Sequence, residues 1–349
     1  MWQSLKVVEL ASVLAGPLVG SFFAELGADV IKVENKRGHG DVTRYWKLKE
    51  ENPAQPISAY YASANYGKKT CFLDLKDPKD YEVLIPMLQS ADIVIQNFKT
   101  GDDVKLRLSP DILHDINPKL IIAKISGFGE TSTRPAFDVV LQAESGFMSM
   151  NGNPSSGPVK MPVALIDVLA AHHLKEAILI ALLERERTGK GKFVHVSLYD
   201  AALASLVNQA NNWLMAGQIP QAMGTQHPNI APYGDLFTTQ DGKQIVLAVG
   251  SDKQFSMLTQ ALGLDSKLLY KFSNNQNRVK NRTELNAILG EKISQLTCEN
   301  LSKIFLDKDV PFGEIKDLEA VFALTQSKKM VLRSKIEGVE CTSLRQVLQ

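Results

Sequence analysis

The first two hundred residues alternate short apolar runs with longer mixed stretches. Leu5-Lys-Val-Val-Glu9 reads as a buried strand, followed by a turn holding Gly16-Pro17 and a helix from Leu18 to Leu26 that stops at Gly27. Pro inside the first turn and Gly just past the last is the usual asymmetry of helix ends. Asp29 to Glu34 is the next strand, completing a βαβ unit whose connection is expected to be right-handed. Strands follow at Thr70 to Leu75, Asp92 to Gln96 and Leu120 to Ser126, separated by helices at Asp80 to Ser90 and Pro110 to Asn117. This alternation of short strands and helices predicts an α/β, Rossmann-like, doubly wound, mainly parallel sheet.

The middle of the chain changes character. Arg134 to Pro162 is rich in Gly, Ser, Asn and Pro and predicts a long ordered loop with a short helix near Gln142. Asp167 opens a long helix to about Arg187, ended by Thr188-Gly-Lys-Gly191 with basic residues in its last turn. Phe193 to Ser197 alternates as a strand, and Asp200 is placed to cap a helix reaching Met215. Gln218 to Pro232 is polar and Pro-containing, like a linker. Asp241-Gly242 then lies between two alternating runs, Asp235 to Thr239 and Gln244 to Val249, a strong hairpin signal. Helices at Asp252 to Leu262, Arg282 to Leu296 and Asn300 to Leu306 complete a smaller α+β domain. The expected organisation is a large domain of residues 1–215 with 315–349 and a small one of 228–310, joined by linkers at 216–227 and 311–314, the latter within the break Val310-Pro-Phe-Gly313.

Composition narrows the classes. Hydrophobic residues make up 44% and charged residues 22%, which excludes a disordered chain. With 39 basic and 38 acidic residues the formal charge is +1, which removes the field a nucleic-acid binder carries. Leu10 to Ala24 is uncharged but too short for a membrane helix, and Glu9 interrupts a secretory reading. Three scattered cysteines, Cys71, Cys298 and Cys341, predict a reducing compartment, hence a cytoplasmic protein, without structural zinc.

Familiar site motifs are absent. The first βα turn, Ala11 to Gly20, lacks GxGxxG, so Glu34 as a ribose-binding acid has little support. There is no Walker A loop, GxSxG elbow or HExxH helix, and the six histidines read as surface or core residues. What stands out is an ordered series: Leu14-Ala-Gly-Pro17, Gly27 to Glu34, Gly40-Asp-Val-Thr-Arg44, Asn65-Tyr-Gly-Lys68, Leu73-Asp-Leu75, Asn97-Phe98 and Ser126-Gly-Phe-Gly129. It continues with Phe137-Asp138, Gln142 to Gly146, Asp167, Arg187 to Gly191, His227 to Tyr233 and Val310 to Gly313. In register from residue 4 to about 330, the series resembles the family III CoA-transferases, the group that holds formyl-CoA and carnitine CoA-transferases.

The resemblance implies transfer of CoA from an acyl-CoA thioester to a carboxylic acid, with no ATP or metal, by an interlocked homodimer that needs neither nucleic acid nor membrane. It places the nucleophile at Asp167, a position where the residue type also suits an N-cap. It places the coenzyme A contacts at Val13, Leu14 and Ala15, then Lys68, then Asn97 and Phe98, then Lys105. The two lysines would neutralise phosphates and Phe98 would offer a ring to adenine. Leu14 stands where the formyl-CoA enzymes have glutamine, Asn35 where they have arginine, and Ala171 where a glycine is usual. The chain stops at Gln349, before a Gly-Glu-His-Thr motif of most relatives. Two alternatives share this fold: 2-methylacyl-CoA racemases, whose catalytic histidine is replaced here by Phe137, and a non-catalytic CoA-binding paralogue.

Overall fold

A computed structural model describes residues 2–265 and 270–348, and the chain divides into two compact units. One takes the chain up to Phe147, Lys160–Ile219 and the chain from Gln326; the other takes Met148–Val159 and Pro220–Thr325.

The first unit is built on six parallel strands: β1 (Lys6–Glu9), β2 (Asp29–Asn35), β3 (Lys69–Leu73), β4 (Ile93–Gln96), β5 (Ile121–Ser126) and β6 (Lys192–Ser197). Their order is β3-β2-β1-β4-β5-β6, with Val8 opposite both Ile31 and Val94. The order reverses between β1 and β4, and a crevice opens at the carboxyl ends of strands flanking such a reversal. Alternate residues explain the unbroken apolar runs. Val7, Ile95 and Ala123 pack against α1 (Ala15–Glu25) and the long α8 (Leu165–Thr188), while Val8, Val94 and Ile122 face the core shared with Leu84, Leu88 and Leu113. Leu84 and Leu88 lie on α3 (Pro78–Ser90), and Leu113 on α5 (Pro110–Ile116). Leu10 to Ala24, the stretch with a secretory look, is the buried turn and body of α1.

Several elements differ from the sequence reading. A single turn, α4 (Asp102–Lys105), follows β4, and α6 (Asp138–Glu144) and α7 (Phe147–Met150) are the helical part of the predicted loop. The helix expected from Asp200 to Met215 is two, α9 (Leu198–Ala204) and α10 (Val207–Ala216), broken where Val207 takes a φ of 45°. Its cap is Ser197, whose Oγ accepts the N–H of Asp200 and donates to that carboxylate. Asp167 is not an N-cap either: it lies inside the first turn of α8, and the cap position is Ala164.

The end of the chain forms an antiparallel hairpin in the same unit, β10 (Val331–Ile336) with β11 (Val339–Leu344), which the sequence reading missed. Ile336 and Cys341 pack against Ile57, Tyr61 and Ala62, the last two on α2 (Ala59–Ser63). Beyond it, Glu25 at the end of α1 accepts the N–H groups of Gln346 and Val347 at 2.7 and 3.1 Å.

The second unit is a three-stranded antiparallel sheet, β7 (Tyr233–Thr238), β8 (Gln244–Ala248) and β9 (Phe312–Glu314), covered by helices that include α11 (Asp252–Ala261). Residues 311–314, read as a linker, supply β9. The polar stretch before β7 is fastened by two buried arginines: Arg278 donates to the Ala231 carbonyl at 2.9 Å, and Arg282 to those of His227 and Ile230 at 2.6 Å. Among the described residues no helix is long and apolar enough to cross a membrane.

Candidate active site

The crevice between β1 and β4 is shaped by a constrained turn. Val13, a β-branched residue, takes a φ of 71°, where side chains meet backbone strain of about 1–3 kcal/mol. Two side chains hold it there. Asp41 Oδ2 accepts the Val13 N–H at 3.1 Å, and Asn97 grips Ser12 on both sides, accepting its N–H at 3.0 Å and donating to its carbonyl at 2.8 Å. Asn97, expected as a coenzyme A contact, thus spends its amide on the turn.

Around this turn lies a cavity of about 320 Å³ that brings together Val13, Leu14, Ala15, Asn97, Phe98 and Asp167. Its far wall is the Ser126-Gly127 turn, where a Cβ on Gly127 would come within 2.1 Å of that of Ala136. Leu14 precedes α1 without a side-chain cap, and because Pro17 carries no N–H and that of Leu18 bonds to Leu14, the free donors of this helix end are those of Ala15, which lines the cavity, and Gly16. A second cavity, about 360 Å³, shares Ser12, Val42 and Phe98 and continues past Glu34, Asp41 and Asp74.

Asp167 is 8% exposed, and no hydrogen-bond donor among the described residues meets its carboxylate. Its neighbour Asp138 differs sharply. One Asp138 oxygen accepts the Ile166 N–H at 2.8 Å, serving α8 as the cap Ala164 cannot supply, and the other accepts from Gln142 at 2.6 Å. Desolvation first, and then the Asp138 charge, push the Asp167 pKa up from 3.8 to about 7. A carboxylate that is buried, unpartnered and open to a cavity is poorly stabilised as an anion, which makes it a stronger nucleophile. Tyr60, which sequence reading missed, has its phenol pKa raised by burial and by Asp167, Asp138 and Asp41.

The two lysines assigned to phosphates fare differently from expectation. The Lys68 side chain is buried: its ammonium meets Glu9 at 2.7 Å, the carbonyls of Pro17 and Ala64, and Asn65. Burial lowers its pKa to about 8 despite Glu9. It is neither a surface charge nor free for a ligand. Lys32 meets the other Glu9 oxygen at 2.9 Å and Asp41 at 3.1 Å, so this buried cluster also underpins the Val13 turn. Lys105 is 75% exposed, pairs with Asp102 at 2.8 Å and lies outside both cavities. Among the described residues the cations that line the Asp167 cavity are Lys99 and Arg134, the latter stacked 4.1 Å over the Phe128 ring and paired with Glu144 at 2.5 Å. Phe137 also lines it, and among the described residues no histidine does; His195 is turned to Ser126, 2.8 Å from its hydroxyl.

The site thus sets a desolvated carboxylate beside the crevice where the strand order of a doubly wound sheet reverses. Comparison with known proteins makes this specific. The model of CoA-transferase family III matches residues 3–347, and the chain belongs to that family. It is 37% identical to succinate–glutarate CoA-transferase of Agrobacterium fabrum, over 97% of this chain and 86% of the relative. It is 33% identical to acetyl-CoA:oxalate CoA-transferase of Acetobacter aceti, over 97% and 86%. A solved CaiB/BaiF family protein from Brucella suis superposes with a TM-score of 0.83 at 37% identity, covering 100% of this chain and 92% of the other.

Proposed function

We propose that this CoA-transferase works through a covalent intermediate on Asp167, and the desolvated, unpartnered state of that carboxylate carries the reading. An Asp167 oxygen attacks the acyl carbon of the donor thioester, the C–S bond breaks, and CoA leaves as thiolate from a mixed anhydride. The thiolate attacks the aspartyl carbonyl and expels the donor's carboxylate, leaving an aspartyl–CoA thioester. The acceptor carboxylate attacks that carbonyl and releases the thiolate, which takes the acceptor acyl group and frees Asp167. One thioester replaces another, so no outside energy source is needed. The α1 end offers donors for developing oxyanions. Val13, Leu14, Ala15 and Phe98 form the coenzyme A wall, and Lys99 and Arg134 supply the positive charge first assigned to Lys68 and Lys105. Short dicarboxylic acids are the proposed acyl acceptors, since the relatives above are named for succinate, glutarate and oxalate and Lys99 at the cavity wall can meet a second carboxylate.

A panel of dicarboxyl-CoA donors and carboxylate acceptors, read by mass spectrometry, tests the substrate class; transfer confined to monocarboxylates would refute it. The same assay over pH tests the site. Asp167 reacts only when ionised, so the rate should fall roughly tenfold per pH unit below about 7 and level off above it. A limb near pH 4 would show an ordinary solvated carboxylate. We also propose the family's interlocked homodimer, with Gln218 to Pro232 and the segment near Val310 as its connecting arms; light scattering should give about twice 38.4 kDa, and a stable monomer would refute it.

A further inference from the structure

The motif Gly40-Asp-Val-Thr-Arg44 has no role in the chemistry above, yet it ties the Val13 turn to the end of the chain. Arg44 is buried and bridges two glutamates. Its Nε and Nη2 donate to Glu34 at 2.6 and 2.9 Å, and its Nη1 and Nη2 donate to Glu337 at 3.1 and 2.9 Å. The Glu34 Oε2 that meets Arg44 also accepts the Asp41 N–H at 2.6 Å, and Asp41 in turn holds the Val13 N–H. Gly40 is required here: it has a φ of 102°, and a Cβ would fall 2.4 Å from that Glu34 oxygen.

Glu337 sits where local structure does not favour it. Ile336 and Val339 pair across the hairpin, leaving Glu337 and Gly338 as a two-residue loop with φ of 50° and 82°. Such a loop prefers Asn-Gly, and glutamate in a left-handed conformation is a poor choice. A residue that breaks the local rule points to a use elsewhere.

We propose that Glu337 is a positioning residue for acyl-CoA binding, acting through Arg44, Glu34 and Asp41 on the Val13 turn. The proposal rests on the reading of that turn as part of the coenzyme A wall. Without Glu337, Arg44 keeps Glu34 and the Tyr61 hydroxyl, so the fold survives. The guanidinium is then held on one side only, and the Glu34 oxygen that accepts the Asp41 N–H is less firmly fixed, while Lys32 and Thr43 still hold the Asp41 carboxylate.

Glu337→Asn separates positioning from stability, because it improves the loop while cutting the link. Relative to the parent, KM for acyl-CoA and the calorimetric Kd for free CoA should both rise roughly 3- to 10-fold, with kcat within about twofold. Tm should stay equal or increase. Glu337→Gln should weaken binding similarly, and Glu337→Asp should recover part of it. Unchanged KM and Kd in both Glu337→Asn and Glu337→Gln would overturn the proposal. So would a loss of kcat and Tm at constant KM, which would make the hairpin a stabilising element alone. Failure of the parent protein to bind CoA would instead refute the coenzyme A reading of the turn.

Discussion

Asp167→Asn is expected to yield a protein that has lost transferase activity and gained stability at alkaline pH. Loss of the nucleophile removes the reaction path, a change of roughly 10⁴- to 10⁶-fold in kcat where comparable groups are deleted. The stability gain follows from burial. The carboxyl titrates at about 7 in the folded chain against 3.8 ordinarily, so between those values the folded state holds a proton the unfolded state has shed. This group's contribution to stability is fully present below about pH 4, is lost as pH rises through about 7, and above that leaves a buried, unpaired anion. Three units correspond to about 4 kcal/mol, the upper limit of what asparagine can recover at pH 8. Denaturation at pH 8 and pH 4.5 checks this: the variant's advantage should be large at the first and small at the second. Equal stability at both would mean that the Asp167 carboxylate is solvated.

Glu9→Gln is expected to be among the most damaging single changes in the chain. Glu9 lies against both Lys32 and Lys68, and all three side chains are at most 1% exposed. Gln cannot neutralise two buried ammonium groups, and breaking a buried pair costs roughly 3–5 kcal/mol. Gly20 shows how closely the site is fitted, since a Cβ there would lie 1.8 Å from Glu9 Oε2. Adding Lys68→Met to Glu9→Gln should recover part of the loss, because one uncompensated cation is then removed. Chemical denaturation reads both changes; a cost below about 1 kcal/mol for Glu9→Gln would show that these charges do not depend on one another.

The parts of this molecule legible in the sequence are those set by neighbouring residues. Leu120 to Ser126 and its companion strands announce themselves because a strand covered on both faces has no polar side to show. Asp241-Gly242 announces β7 and β8 because few other dipeptides adopt that turn so readily. The β10–β11 hairpin stayed hidden for the opposite reason: its loop is Glu337-Gly338, and the pull on Glu337 comes from Arg44 across the fold. The family resemblance made Lys68 a ligand for phosphate, and nothing near it in the sequence announces that Glu9 awaits it on β1. Asp167 had the composition of a cap, but the capping is done by Asp138, 28 residues before the N–H it accepts. Tyr60 carried no local signal, and its place beside three carboxylates comes from the folded chain alone.

The central claim is that Asp167 becomes covalently acylated, and trapping tests it most directly. The parent enzyme is incubated with a dicarboxyl-CoA donor and no acceptor, treated with hydroxylamine, and digested, and the peptide spanning Ala164 to His172 is weighed. A hydroxamate on Asp167, present with the donor and absent without it or in Asp167→Asn, is the predicted result. An Asp167 peptide of unaltered mass from an enzyme that turns over the same donor, or transfer persisting in Asp167→Asn, would contradict the account.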